Sequence, residues 1–174
     1  EFLKKIKIII NLMNKIKWVI SILIFCNLVS CVENNSIRID KDILNGWDIE
    51  ESMKFEIKDT IDFPSNIYFY IRNNNDYPFS NIFLIASLKS NQSIYEMDTL
   101  EYTMANNKGE WLGKGFSVIK ESKLSWKRSW KPNFPPPYFF EIKQANRKIG
   151  QIKGDKKLVG ILTFGLSIEK ILNE

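Results

Sequence analysis

Asn66-Ile67-Tyr68-Phe69-Tyr70-Ile71-Arg72 decides the fold class. Ile67, Phe69 and Ile71 alternate with Tyr68, Tyr70 and Arg72, and this period of two puts one set on each face of a strand. One face reads as buried and the other as half-polar, the pattern of an antiparallel sheet. The run Asn73-Asn74-Asn75-Asp76 that follows is turn chemistry, as are Tyr77-Pro78 and Asn106-Asn107-Lys108-Gly109. Outward from this strand, others are predicted over 52–57, 81–88, 93–102, 116–119, 138–144 and 158–169. A helical period is confined to 144–148. Strands spaced by turns predict an all-β, single-domain antiparallel β-sandwich, Ig-like or jelly-roll-like.

Composition narrows the chemistry. Of 174 residues, 44% are hydrophobic and 13% aromatic, which excludes a disordered or collagen-like chain. The chain contains no His, so a Ser-His-Asp or Cys-His centre, a His-ligated zinc and a His proton shuttle are excluded.

The formal net charge of +5 divides unevenly. Residues 1–30 hold five Lys and one Glu, leaving 20 basic and 19 acidic residues. No basic excess remains to bind nucleic acid. Within the remainder, 31–110 carries 7 basic and 14 acidic residues, and 111–174 carries 13 basic and 5 acidic. Interleaved strands would cancel most of this by cross-strand pairing; segregated halves would give an acidic and a basic face.

The N-terminus reads as a leader. Lys15 and Lys17 interrupt the apolar run from Ile6 to Val29, and each would cost roughly 2.5–3.5 kcal/mol inside a membrane span. Met13-Asn14-Lys15-Ile16-Lys17 fits a positive n-region, with Met13 as a candidate true start, and 18–29 fits an apolar signal core too short to span about 30 Å. The core ends in Leu28-Val29-Ser30-Cys31, a bacterial lipobox in which Cys31 is acylated. Cys26 falls in the removed segment, so the mature chain is expected to hold neither a disulfide nor a free thiol. The expected division is 1–30 signal peptide, 31–36 lipidated tether and 37–174 β domain. Two or three acyl chains, palmitate-like in length, give stable membrane attachment. Val32 is not the Asp that retains some lipoproteins at the inner membrane, so the expected address is the outer membrane. Val32-Glu33-Asn34-Asn35-Ser36 has one acid, a poor surface-export tether, which favours the periplasmic face.

Candidate chemistry is thin. Ser117-Val118-Ile119-Lys120 and Ser167-Ile168-Glu169-Lys170 match S-x-x-K, but on a strand i and i+3 face opposite sides. Asp40, Asp42 and Glu51 are spaced as in an EF-hand, yet Leu44 and Asn45 break the loop pattern and Gly46 comes one residue late. Asp98, Glu101 and Glu110 read as surface charges or strand partners. Trp47 and Trp111 read as core or turn anchors. Trp126 and Trp130, among Lys123, Lys127, Arg128 and Lys131, read as a loop packed on the sheet or as an exposed contact surface for protein or glycan.

Several segments together carry a resemblance. They are Arg72-Asn73, Tyr77-Pro78-Phe79-Ser80-Asn81-Ile82-Phe83-Leu84, Asp98-Thr99-Leu100-Glu101-Tyr102 and Gly109-Glu110-Trp111-Leu112-Gly113-Lys114-Gly115. With Trp47 and Phe55 upstream, and Tyr138, Phe140, Ile142, Gln144, Arg147 and Gly165-Leu166-Ser167-Ile168-Glu169 downstream, the chain resembles the GldH family of gliding-motility lipoproteins. Pro137, Asn106 and Thr163 depart from the family pattern, which has a glycine and two acids there. The resemblance implies a non-enzymatic component of the gliding apparatus, tied to type IX secretion. It implies a lipid-anchored protein whose partners are other gliding and secretion proteins, with no cofactor beyond the lipid on Cys31, no metal and no small-molecule substrate. Arg72, Tyr77, Pro78, Asn81, Trp111, Gly113, Lys114 and Gly115 are the candidate partner surface. A surface glycan-binding lipoprotein using Trp126 and Trp130 is the alternative.

Overall fold

The computed structural model describes residues 36–90, 93–148 and 150–171, together with Met13, Ile16 and Lys17. Those three helical residues belong to a separate unit, Glu1–Asn34. The expected signal core, Cys31 and most of the tether lie outside the described residues.

Ten strands are present among the described residues: β1 (Ser36–Asp42), β2 (Trp47–Asp48), β3 (Ser52–Ile57), β4 (Ser65–Asn73), β5 (Asn81–Ser90), β6 (Ser93–Thr103), β7 (Lys120–Trp130), β8 (Tyr138–Gln144), β9 (Lys157–Leu158) and β10 (Ile161–Lys170). Every pairing is antiparallel. β1 pairs with β10, β2 with β9, β3 with β8, β4 with β7 and β5 with β6. The chain is thus one long hairpin, doubled back between β5 and β6 and then rolled up. Two further ladders, β10 with β4 and β5 with β8, close the roll into sheets ordered β1-β10-β4-β7 and β3-β8-β5-β6. That order is a jelly roll, which selects one of the two sandwich types predicted.

The alternation in β4 is borne out. Ile67, Phe69 and Ile71 are fully buried, while Tyr68 and Tyr70 are half-exposed and Arg72 is exposed. Facing them from the other sheet are Phe55 of β3, Leu84 and Leu88 of β5, and Phe140 and Ile142 of β8, all buried. Rings join the layers: Phe55 to Phe164 at 6.1 Å, Trp126 to Phe140 at 6.0 Å and Trp130 to Tyr138 at 5.9 Å. Each such side chain stabilises the fold by about 1.5–3 kcal/mol on burial.

Five local expectations are corrected. Residues 116–119 are a loop, and the strand begins at Lys120. Its inward set is Ser122, Leu124 and Trp126, and the polar first member hides the period. Trp126 and Trp130 are 9% and 8% exposed. Their segment is strand β7 rather than a loop, and their rings belong to the core. Ser36, the last residue of the expected tether, and 37–42, where no strand is predicted, form β1; only Ile37 and Ile39 turn inward, and pairing with β10 makes it a strand. Residues 145–148 are irregular, because the side-chain amides of Gln144 and Asn146 bond to backbone. The last predicted strand is two, divided at Val159-Gly160.

Opposite charges pair across the two compositional halves. Lys127 of β7 contacts Glu96 and Asp98 of β6 at 2.5 and 2.7 Å, and the Trp126 indole donates to Asp98 at 2.9 Å. Tyr102 donates to the Ser125 carbonyl at 2.8 Å, so side chains stitch the edges of the two sheets together along β6 and β7. Glu121 accepts from Arg72 at 2.8 Å and Arg38 at 3.0 Å, and Lys89 pairs with Glu141. The interleaved reading of the charge imbalance holds for these pairs.

The Lys127 ammonium and then the Trp126 indole hold the Asp98 carboxyl below its ordinary range. Lys89 does the same for Glu141. For Glu121, burial pushes upward, but hydrogen bonds from Arg38 and Arg72 outweigh it. Depressed carboxylates contribute stability that is present above their unfolded pKa and is lost as pH falls through the folded values. We expect the urea midpoint to hold from pH 7 to about 5 and to fall below about pH 4. In Asp98→Asn/Glu121→Gln/Glu141→Gln that acid-side slope flattens; an unchanged slope would mean the pairs do not form in solution.

Candidate functional site

Four connections meet at one end of the sandwich: 43–51 with β2, 74–80, 104–119, and 145–160 with β9. The chain enters at Ser36 at the opposite end, since Ser36 pairs with Glu169 and Glu169 with Asn66 at the start of β4. The candidate residues carried by the resemblance lie in or beside these four loops, in two groups.

Tyr77 and Asn146 centre the first group. Tyr77 is buried, and its hydroxyl donates to the Asn81 carbonyl at 2.7 Å. Burial raises the pKa of that phenol, so it stays protonated. The buried Asn146 amide donates to the Tyr77 oxygen at 3.3 Å and to the Asn81 carbonyl at 3.2 Å. Its Oδ1 accepts the Phe83 N–H at 2.8 Å. Asn81 reaches outward to Glu101 at 2.7 Å, and the Ser80 carbonyl beside it accepts from Met104 and Ala105. Pro78 is exposed at the bend. Trp111 packs 6.1 Å from the Tyr77 ring, and its indole donates to Asn75 at 3.0 Å. The Tyr77-Pro78 loop, the Trp111 loop and the segment after β8 are therefore clasped through one tyrosine and one asparagine.

The second group surrounds Glu121. Arg72 bonds its carboxylate, and Lys114 exchanges two backbone bonds with Glu121, each 2.8 Å. Gly113 lies against this ladder, where a Cβ would stand 2.9 Å from the Glu121 carbonyl. Gly115 is tighter still, at 2.5 Å from the Ile119 carbonyl. The Lys114 side chain is exposed. Beyond this point the loop is apolar and open: Leu112, Phe116, Val118 and Ile119 are all exposed, Phe116 at 99%.

The family described as GldH lipoprotein matches residues 37–168. The chain belongs to that family.

The match begins and ends on a directly opposed pair, Ile37 and Ile168, so the family's extent is the rolled hairpin itself. The chain is 39% identical over 145 residues to "Gliding motility lipoprotein GldH homolog" of Christiangramia forsetii, and 37% identical over 145 residues to "Gliding motility lipoprotein GldH" of Flavobacterium johnsoniae. Each alignment covers 82% of this chain and 89% of the relative. No solved structure matches the chain.

Within this GldH fold most motif residues serve the loops. Tyr77 bonds backbone, Asn81 and Trp111 bond the Glu101 and Asn75 side chains, and Gly113 fits against the Glu121 carbonyl, while Pro78, Lys114 and the apolar loop tip face solvent. Sequence reasoning missed Asn146 and Glu121 as hubs. Asn146 stands two residues past Gln144, outside any turn signature, and Glu121 is one acid among basic neighbours. Asn106 supplies its turn unaided, accepting from the Lys108 and Glu110 N–H groups at 2.9 and 3.0 Å.

The other candidates have structural partners. Lys120 donates to the Gly115 carbonyl, and Lys170 sits over Phe63. Ser167 donates to Glu169. Asp40 turns to Arg38 at 3.0 Å. Asn146→Leu keeps the branched outline with bulkier ends and leaves the Phe83 N–H without its acceptor, an expected loss of at least about 2 kcal/mol by urea unfolding. A loss under about 0.5 kcal/mol would mean the clasp is not needed.

Proposed function

We propose that this chain is a lipoprotein acylated on Cys31, held at the periplasmic face of the outer membrane, and acting as a structural or assembly component of the gliding machinery and its associated type IX secretion. The observation that carries the reading is membership of the GldH lipoprotein family over the whole rolled domain, with relatives named for gliding motility. The Leu28-Val29-Ser30-Cys31 lipobox supports the anchor, since lipidation supplies attachment without a spanning segment. The role is non-catalytic: the side chains of Tyr77, Gln144 and Asn146 at the loop end bond to backbone and hold loops in place. Its partners are other motility and secretion proteins, and its one added group is the lipid.

Cys31→Ala tests the reading. In a gliding host lacking its own copy, wild type is expected to restore spreading and to fractionate with outer membrane. Cys31→Ala is expected to be soluble and to restore nothing. Full restoration by a soluble Cys31→Ala protein would sink the anchored reading.

A further inference from the structure

Among the described residues of the domain, ten large apolar side chains are exposed. Three lie on β6. The other seven are all in the loops at the end opposite Ser36: the four of the 104–119 loop, with Leu44 at 89%, Ile152 at 96% and Val159 at 47%. Single exposed apolar residues need no explanation, but their gathering at one end does. The cations there are confined to two loops: 104–119 and 145–160, which hold Phe116 and Ile152, carry seven basic and two acidic residues, whereas 43–51 and 74–80 carry four acidic residues and no basic ones.

We propose that this loop end is a docking surface for a protein partner that presents an apolar patch fringed by carboxylates. Phe116 and Ile152 are the apolar anchors, and the Lys and Arg of their own two loops select the acidic rim. For which way the end faces, the inference rests on the anchored reading above.

Chain length keeps the loop end from standing upright in the anchoring bilayer. Five residues from Cys31 to Ser36 reach at most about 18 Å. The nine residues of β4 span about 30 Å between the two ends of the sheet. Planting the loop end in the bilayer would lift Ser36 beyond the reach of its own anchor. A protein is therefore the occupant to which the exposed apolar end and its cations commit, and lipid at Phe116 is the outcome that would contradict it.

The test places a photoreactive phenylalanine analogue at Phe116, at Ile152, or at Asp62 in the connection at the chain-entry end, in the full acylated protein in its own cells. One discrete protein adduct is expected from 116 and 152 and not from 62, with the partner's crosslinked segment bearing apolar residues beside Asp or Glu. Phe116→Asp, harmless to folding at a fully exposed site, is expected to cut the adduct from 152 at least about tenfold, and Phe116→Leu to keep it. Lipid adducts, adducts with a second copy of this chain, equal labelling from 62, or none from 116 and 152 would each overturn the docking end. If the adduct is as expected but the partner lies outside the motility and secretion proteins, the docking end stands and the gliding role falls. If Phe116→Asp keeps the adduct while gliding is restored, the docking end falls and the gliding role stands.

Discussion

Gly160→Ala is expected to destabilise the domain by at least about 3 kcal/mol, an unusually large cost for one methyl group. Two causes add. Gly160 holds φ +78, where a side chain costs about 1–2 kcal/mol. A Cβ there would also lie 2.1 Å from the Tyr77 nitrogen and 2.6 Å from the Asp76 carbonyl carbon. Those are backbone atoms, and Tyr77 is fixed by Asn146 and Asn81, so the loop cannot step aside. The Gly160 carbonyl accepts the Asn74 N–H at 2.9 Å, a bond that would be lost with the displacement. Gly150 is the internal control: its φ is +83, but no atom lies within 4 Å of an added Cβ. Gly150→Ala should therefore cost only about 1 kcal/mol. Urea unfolding of both variants separates the conformational cost from the steric one. Equal losses would mean that the β9–β10 turn does not press on the Tyr77 loop.

Phe164→Ala is expected to cost about 3–5 kcal/mol. Its ring lies 5.1 Å from Trp47, 5.3 Å from Phe69 and 6.1 Å from Phe55. It thus touches the β2 segment, its own sheet and the opposite sheet, and the cavity left has rings on several sides that cannot collapse together. Phe164→Leu refills most of the volume and should lose less than half as much. Trp47 is fully buried against Phe164, so its emission should shift to the red in Phe164→Ala as water gains access. A loss near 1 kcal/mol, with unchanged emission, would contradict this packing.

Strands were legible where a side-chain period of two met full burial on one face. β4 announces itself because Ile67, Phe69 and Ile71 are strong and regular, and β3 and β8 follow for the same reason. β1 and β7 were hidden because their identity is tertiary. Ile37 and Ile39 are too few to carry a pattern, and Trp126 and Trp130 sit among cations that look like solvent-facing residues. Only the pairing with β10 and β4 fixes which side is inward. The site was legible as words and not as roles. The Tyr-Pro and Gly-Glu-Trp segments mark the right end of the molecule. The hub is Asn146, whose side chain bonds Tyr77, Asn81 and Phe83, all more than sixty residues away in sequence. The exposed tip was masked by its own composition, since Phe116-Ser117-Val118-Ile119 has the alternation of a strand but finds no neighbouring strand to join.

The rolled hairpin also sets how the molecule bears load. β1 is an edge strand held by β10 alone, and its chain leaves the domain at the end opposite the loops. Tension applied between Ser36 and a grip on the loop end runs along β1, at right angles to its hydrogen bonds. All seven residue pairs are then stressed at once instead of peeling one by one from the terminus. Pulled between its two ends the domain resists as a lap joint, whereas pulled at Ser36 and Lys170, which lie at the same end, it would open like a zip fastener.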